Sequence, residues 1–254
     1  MADIINNDNS ILDFSAYPAY LADVLNENDL SEFSTVEICS KLSLFCEFLL
    51  EQNKLFNLTA IKTPEGAALL HFADSLTLSK FIPEGASVLD VGSGAGFPAI
   101  PLAIARPDIS ITALDSTNKR VDFINRAAKM LGLTNLTAVC HRAEEVTGSK
   151  FKESFDIVTA RAVAAYPILL ELCLPAVRIG GSFVAMKSKD VSRETSGIEK
   201  VLKLLSIRQP VFNTSEIHFG DESFERCIVE TKKLASTPTK YPRAYAQIKK
   251  RPIF

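Results

Sequence analysis

The sequence predicts an α/β domain, a seven-stranded mixed sheet with helices on both faces, preceded by an N-terminal helical addition. Three observations lead there. Strand-like and helix-like apolar segments alternate from residue 87 to residue 187; the run Ser87–Val91 ends in a glycine-rich turn beside a carboxylate; and the apolar residues before 80 follow a helical period. With 254 residues, 47% of them hydrophobic, the chain can bury one large core.

The expected divisions are an acidic, partly disordered extension over 1–33, a helical cap over 34–80, the sheet domain over 81–231 and a basic tail over 232–254. Met1 to Glu37 holds eight acids and no Lys or Arg, whereas Thr231 to Phe254 holds five Lys, two Arg and no acid. The net charge of −2 conceals this polarity, and local charge is what governs phosphate binding. Cys39, Cys46, Cys140, Cys173 and Cys227 have no C-x-x-C spacing, so no zinc or iron–sulfur site is expected and reduced thiols suit a cytoplasm. No charged-then-apolar leader opens the sequence, and no apolar run reaches a membrane span. The chain reads as a cytoplasmic monomer without metal or membrane partner.

Residues 1 to about 15, rich in Asn and Asp, are expected to be disordered. Ser34-x-x-Glu37 is a capping box, and Ile38, Leu42, Phe45 and Leu49 form one face of the helix it starts. Cys39 and Cys46 share a side of that helix and read as core. Asn57 to Ile61 breaks the period, and Pro64-Glu65 opens a helix on which His71 and Asp74 share a face. That pair is either a structural hydrogen bond or the border of a ligand cleft.

Val88, Leu89 and Val91 suit a buried parallel strand, and Gly92, Gly94 and Gly96 let the turn after it approach a ligand closely. Pro98 and Pro101 fit the first turn of a helix starting near Phe97, whose free N–H groups face the carboxyl edge of the sheet. Phe97 stands where a G-x-G-x-x-G fingerprint needs glycine, and no Gly-Lys-Ser/Thr follows, so neither a dehydrogenase nor a P-loop is supported. Ser110 to Asp115 is the second strand, and Asp115, about 20 residues past the turn, can accept hydrogen bonds from ribose hydroxyls. Asn118 caps the next helix, Leu133 to Cys140 is the third strand, and Arg142-Ala-Glu-Glu145 offers an acid and an amide to a base such as adenine. Phe155 to Arg161 is the fourth strand. A helix over 166–177 closes at Gly180-Gly181 before the fifth strand, Ser182 to Lys187, which sets Lys187 and Lys189 at a phosphate site or a solvated rim. Ile198 to Leu205 forms a helix, and Val211 to Phe219 pairs with Phe224 to Glu230 as a hairpin.

The pattern Asp90-x-Gly92-x-Gly94-x-Gly96 resembles motif I of the class I S-adenosylmethionine-dependent methyltransferases, a Rossmann-like fold. Added to it are Asn57-Leu-Thr-Ala60, His71-x-x-Asp74-Ser75, Phe97-Pro98, Ile100-Pro-Leu102, Leu114-Asp-Ser116, Lys119-Arg120, Arg142-x-Glu144, Arg161-Ala162 and Tyr241-Pro-Arg243. Together, from about residue 35 to 245, they resemble the bacterial 16S rRNA guanine-N7 methyltransferase G family, also called the glucose-inhibited division protein B family. That resemblance implies S-adenosylmethionine as donor and N7 of a guanine in small-subunit rRNA, or in the small ribosomal subunit, as acceptor. It places Gly92, Ser93, Gly94, Gly96, Phe97 and Ser116 at the donor, Asp115 at its ribose, Ala143 and Glu144 at its adenine, and Arg161 near the methyl. His71, Asp74, Arg120, Lys187, Lys189, Tyr241 and Arg243 are left for the RNA.

No residue is expected as a chemical catalyst, because N7 offers a lone pair and loses no proton. Thr159-Ala-Arg161 replaces the Asn/Asp-Pro-Pro-Tyr type of segment used on exocyclic amines, and no Pro-Cys exists for attack on cytosine. The acidic extension and a tail lacking glycine after Arg243 depart from the family pattern. Two other classes remain open, a non-catalytic RNA- or ribosome-binding module on the same fold and a small-molecule methyltransferase. The tail is expected to serve RNA binding while leaving donor affinity untouched.

Overall fold

The computed structural model describes residues 13–161, 164–187, 191–195 and 197–253. Its sheet contains β1 (Ser87–Val91), β2 (Ser110–Asp115), β3 (Leu136–Cys140), β4 (Phe155–Arg161), β5 (Val177–Lys187), β6 (Val211–Phe219) and β7 (Glu222–Lys232). Their order is β3-β2-β1-β4-β5-β7-β6. The first five run parallel, and β7 lies antiparallel between β5 and β6. Both faces are covered, which is why the parallel strands read as continuous apolar runs: Val88 belongs to one buried cluster and Leu89, next to it, to the other.

On the first face pack α1 (Tyr17–Glu27), α2 (Val36–Phe56), α3 (Pro64–Ala67) with a π-helical turn (Ala68–Ala73) leading into α4 (Asp74–Leu76), then α5 (Ala99–Ala105) and α6 (Asn118–Met130). The second face carries α7 (Tyr166–Cys173), α8 (Val191–Glu194), α9 (Glu199–Leu204) and α10 (Tyr245–Lys250).

The acidic extension holds a helix that the sequence reading left out. Tyr17, Leu21, Val24 and Leu25 of α1 are fully buried, and the Tyr17 hydroxyl donates to Pro64 O at 2.6 Å. Asp23 and Glu27 stay on its exposed side, so the acids mask an amphipathic period. The cap of α2 is Thr35 rather than Ser34: its Oγ1 accepts from Ile38 N–H at 3.3 Å. Asn118 is the first residue of α6 rather than its cap, since Thr117 precedes it without a side-chain cap bond. Strand β3 begins at Leu136, after the turn that ends α6, not at Leu133.

Helix α7 stops at Cys173, and Gly180-Gly181 lies inside β5 instead of closing the helix. A Cβ on Gly181 would sit 2.5 Å from Asp156 O, and the β4–β5 register shifts between Phe155 and Ile157. The glycine is needed for strand approach at an irregularity. The basic tail is docked on the domain. Lys233 is fully buried, donating to Leu174 O and Val177 O at 2.9 and 2.8 Å, and Ile248 of α10 is buried in the second-face core.

Candidate functional site

Strand order reverses between β1 and β4, where the carboxyl ends of parallel strands leave a crevice for ligands. Beyond β1 the chain is tied to the end of β2. Gly92 and Ser93 donate their N–H groups to Leu114 O at 2.7 and 3.1 Å, and Gly94 N–H donates to Asp115 Oδ2 at 3.0 Å. Gly92, Gly94 and Gly96 have φ of 74°, 57° and 88°, a region that side chains with a Cβ rarely occupy. Helix α5 begins at Ala99, with Pro98 at its cap, two residues later than the sequence suggests, because residues 93–97 are used by the turn.

A cleft of about 390 Å³ opens here, lined by Val91, Gly92, Leu114, Asp115, Ser116, Arg120, His141, Arg142, Ala143, Glu144, Arg161, Leu172 and Tyr245. Six residues assigned to the donor therefore line it: Gly92, Asp115, Ser116, Ala143, Glu144 and Arg161. Ser93, Gly94, Gly96 and Phe97 do not. They shape the turn, with Phe97 only 4% exposed between His71 and Phe45.

Asp115 is 3% exposed. Its Oδ1 accepts from Thr117 N–H at 2.9 Å, and its Oδ2 lies 3.4 Å from Arg120 Nη1 besides accepting from Gly94. Oδ1 keeps an acceptor site free, and Oδ2 gains one where the long Arg120 contact yields, so the group suits a diol. Asp90, also buried, accepts from the Thr159 hydroxyl at 3.0 Å through Oδ1, while Oδ2 has no hydrogen-bond partner among the described residues. Burial pushes its pKa up to about 7.

A second cleft, of about 490 Å³, is lined by Ala60, Ile61, Leu70, His71, Asp74, Arg161, Met186, Lys187, Phe224 and Arg226. Arg161 belongs to both clefts. Its Nη1 donates to Leu70 O at 3.1 Å and reaches Asp74 Oδ2 at 3.3 Å, and its Nη2 donates to His71 Nδ1 at 3.1 Å. Because Nδ1 accepts, the His71 proton sits on Nε2, which faces Thr59 Oγ1 at 2.8 Å. Burial, reinforced by the Arg161 cation, lowers the His71 pKa well below its usual value and keeps the ring neutral. Arg226 Nε donates to the other oxygen of Asp74 at 2.8 Å. His71 and Asp74 thus meet through Arg161 across a π-helical turn.

The remaining assigned residues part company. Arg120 lines the first cleft, not the second. Lys187 reaches the second, but its ammonium donates to Ala164 O at 3.0 Å and pairs with Glu194 at 2.8 Å. Lys189 lies outside the described residues. Tyr241 and Arg243 line neither cleft: Tyr241 is buried in the second-face core, and Arg243 grips the buried carboxylate of Glu171. Their motif docks the tail on α7. Arg226 and Tyr245, both missed in the sequence, lie on a hairpin and a tail whose approach to the clefts has no local signature.

The family model for GidB, rRNA small subunit methyltransferase G, matches residues 38–221. Ribosomal RNA small subunit methyltransferase G of Desulforamulus reducens is 41% identical over 230 residues, covering 89% of this chain and 93% of that one. Its counterpart from an Exiguobacterium species is 41% identical over 232 residues, covering 90% and 93%. Among solved structures, M. jannaschii TYW2, crystallised in complex with AdoMet, aligns with a TM-score of 0.50 at 14% identity, over 63% of this chain and 75% of that one, a likeness of fold. The chain belongs to the rRNA small subunit methyltransferase G family.

Proposed function

We propose that the protein transfers the methyl group of S-adenosylmethionine to N7 of a guanine in small-subunit rRNA, the donor occupying the first cleft and the guanine the second. The observation that carries this reading is that the two clefts share Arg161 as a common wall, so ligands in them meet across one side chain. Family membership supports the reaction and the RNA. Bound S-adenosylmethionine supplies an electrophilic methyl on a sulfonium. Asp115 would hold its ribose, Ala143 and Glu144 its adenine, and Gly92 and Arg161 the end nearest the strand edge.

The polar groups of the second cleft suit an acceptor that loses no proton. Asp74 is occupied by Arg161 and Arg226, and His71 has both ring nitrogens engaged, so neither stands free as a general base. What the residues supply is alignment. Arg161, fixed by three partners, and Arg226 offer donors to O6 of guanine, leaving N7 to face the methyl. Positive charge moves from sulfur to the base, so the total charge of the site is unchanged by the transfer.

The scattered thiols support a cytoplasmic setting; among the described residues no helix is long and apolar enough to cross a membrane. The test is transfer from labelled S-adenosylmethionine to rRNA, deproteinised or in small subunits, taken from cells lacking the gene. Labelled 7-methylguanosine is expected in the digest. RNA-bound label in another nucleoside, or none, overturns the reading.

A further inference from the structure

The tail reaches the donor cleft by a defined route. After β7, Glu153 accepts from Ser236 Oγ at 3.0 Å and from Thr237 N–H at 3.2 Å. Glu171 on α7 then accepts the Arg243 backbone N–H at 2.9 Å, its Nε at 2.7 Å and its Nη2 at 2.6 Å. Arg243 Nη2 also donates to Arg251 O at 3.0 Å, which closes the segment on itself around α10. Ile248 enters the core beside α7. Next to Glu171 in sequence, Leu172 lines the donor cleft, and so does Tyr245, two residues after Arg243.

We propose that the C-terminal segment is part of the donor site: Tyr245 closes the α7 side of the cleft over the bound donor, and the Arg243–Glu171 pair holds it there. The inference rests on the placement of S-adenosylmethionine in the first cleft. Tyr245 is 39% exposed, so its ring has area left to bury against a ligand. A phenol suits the task, since its flat apolar face covers a nucleoside while its hydroxyl stays wet. The segment lies beyond residue 221, where the family match ends, so this wall is built outside the matched region. It also reverses the expectation that the tail serves RNA alone.

Linkage follows from the arrangement. If the docked tail contacts the donor, donor binding must stabilise the docked tail by the same factor. Amides over 245–250 should exchange more slowly with donor present, although α10 contributes one ring to the cleft.

The experiment is calorimetry of the full-length protein with S-adenosylmethionine and with S-adenosylhomocysteine, for wild type, Tyr245→Phe, Tyr245→Ala and Glu144→Ala, with hydrogen exchange of wild type as a second readout. Tyr245→Ala should weaken both ligands about tenfold, as loss of a partly covered aromatic would. Tyr245→Phe should stay within about threefold, because the ring and not the hydroxyl forms the wall. Melting temperatures without ligand should match wild type, since the ring is partly exposed. Unchanged affinity in Tyr245→Ala, or exchange over 245–250 indifferent to donor, overturns the inference. If Glu144→Ala still weakens binding, the failure belongs to the tail alone; if it too is unchanged, the donor placement itself has failed.

Discussion

The imidazole of His71 lies flat against the ring of Phe97, centroids 4.0 Å apart and planes 19° from parallel. Sandwiched in this way and facing Arg161, His71 stays neutral, its pKa pushed well below 6.5 chiefly by burial. Asp90 moves the other way, up to about 7 from 3.8, again through burial. Below pH 6.5 the unfolded chain binds a proton that native His71 does not, so stability falls as pH falls. Between 3.8 and about 7, native Asp90 holds a proton that the unfolded chain has released, so stability falls as pH rises. The two slopes oppose one another between about pH 5 and 6. Urea melts across that window should find wild type nearly flat. Asp90→Asn should lose up to about 1.4 kcal/mol per pH unit on acidification, and His71→Gln should gain a similar amount. Parallel pH profiles for all three proteins would sink the assignment.

Gly96 and Gly85 separate backbone strain from crowding. Both have positive φ, 88° and 70°, but a Cβ on Gly96 would lie 2.8 Å from Ile100 Cγ1 whereas one on Gly85 meets nothing within 4 Å. Gly85→Ala should cost about 1 kcal/mol, the left-handed penalty alone. Gly96→Ala should cost about 3 kcal/mol, because α5 must shift away from the turn as well. Equal losses in chemical denaturation would show that Ile100 yields freely.

Periodicity and spacing made the central sheet and about half of the lining of the first cleft readable. Asp115 and Glu144 follow strand ends, where a short-range pattern fixes their direction, and both line the cleft. Phe97 lies off the cleft lining for a reason no local pattern shows: its ring packs on His71, Phe45 and Phe72. Composition misled at both ends. Acids on the outer side of α1 and cations in the tail outweigh the few apolar residues, Tyr17, Leu21, Val24, Leu25 and Ile248, that commit those segments to the core. Arg226 and Tyr245 reach the clefts only through tertiary packing, which no window of the sequence records.

Asp74 bridges two arginines, with Oδ1 2.8 Å from Arg226 Nε and Oδ2 3.3 Å from Arg161 Nη1. Asp74→Asn keeps the shape but gives one oxygen and one donor where two acceptors are required, so at least one guanidinium must move. Methyl transfer should fall by about 100-fold, the scale of an ångström-sized misplacement. Donor affinity should fall far less than turnover, because Asp74 lines only the second cleft and reaches the first through Arg161 alone. Equal losses in turnover and donor binding would mean that the two clefts are not separate subsites.

Glu171 is fully buried, and Arg243, 29% exposed, is the cation that meets it. Arg243→Ala removes two of its three hydrogen bonds and leaves a carboxylate in the core with one backbone N–H, a loss of about 3 kcal/mol or more. Glu171→Leu combined with Arg243→Met replaces the pair by apolar groups of similar size and should return to within about 1 kcal/mol of wild type. Such recovery would show that the ion pair fixes where the tail docks more than how firmly the domain folds. The double variant should therefore melt like wild type while its α10 amides exchange faster. A double variant as unstable as Arg243→Ala would instead make the pair a net source of stability.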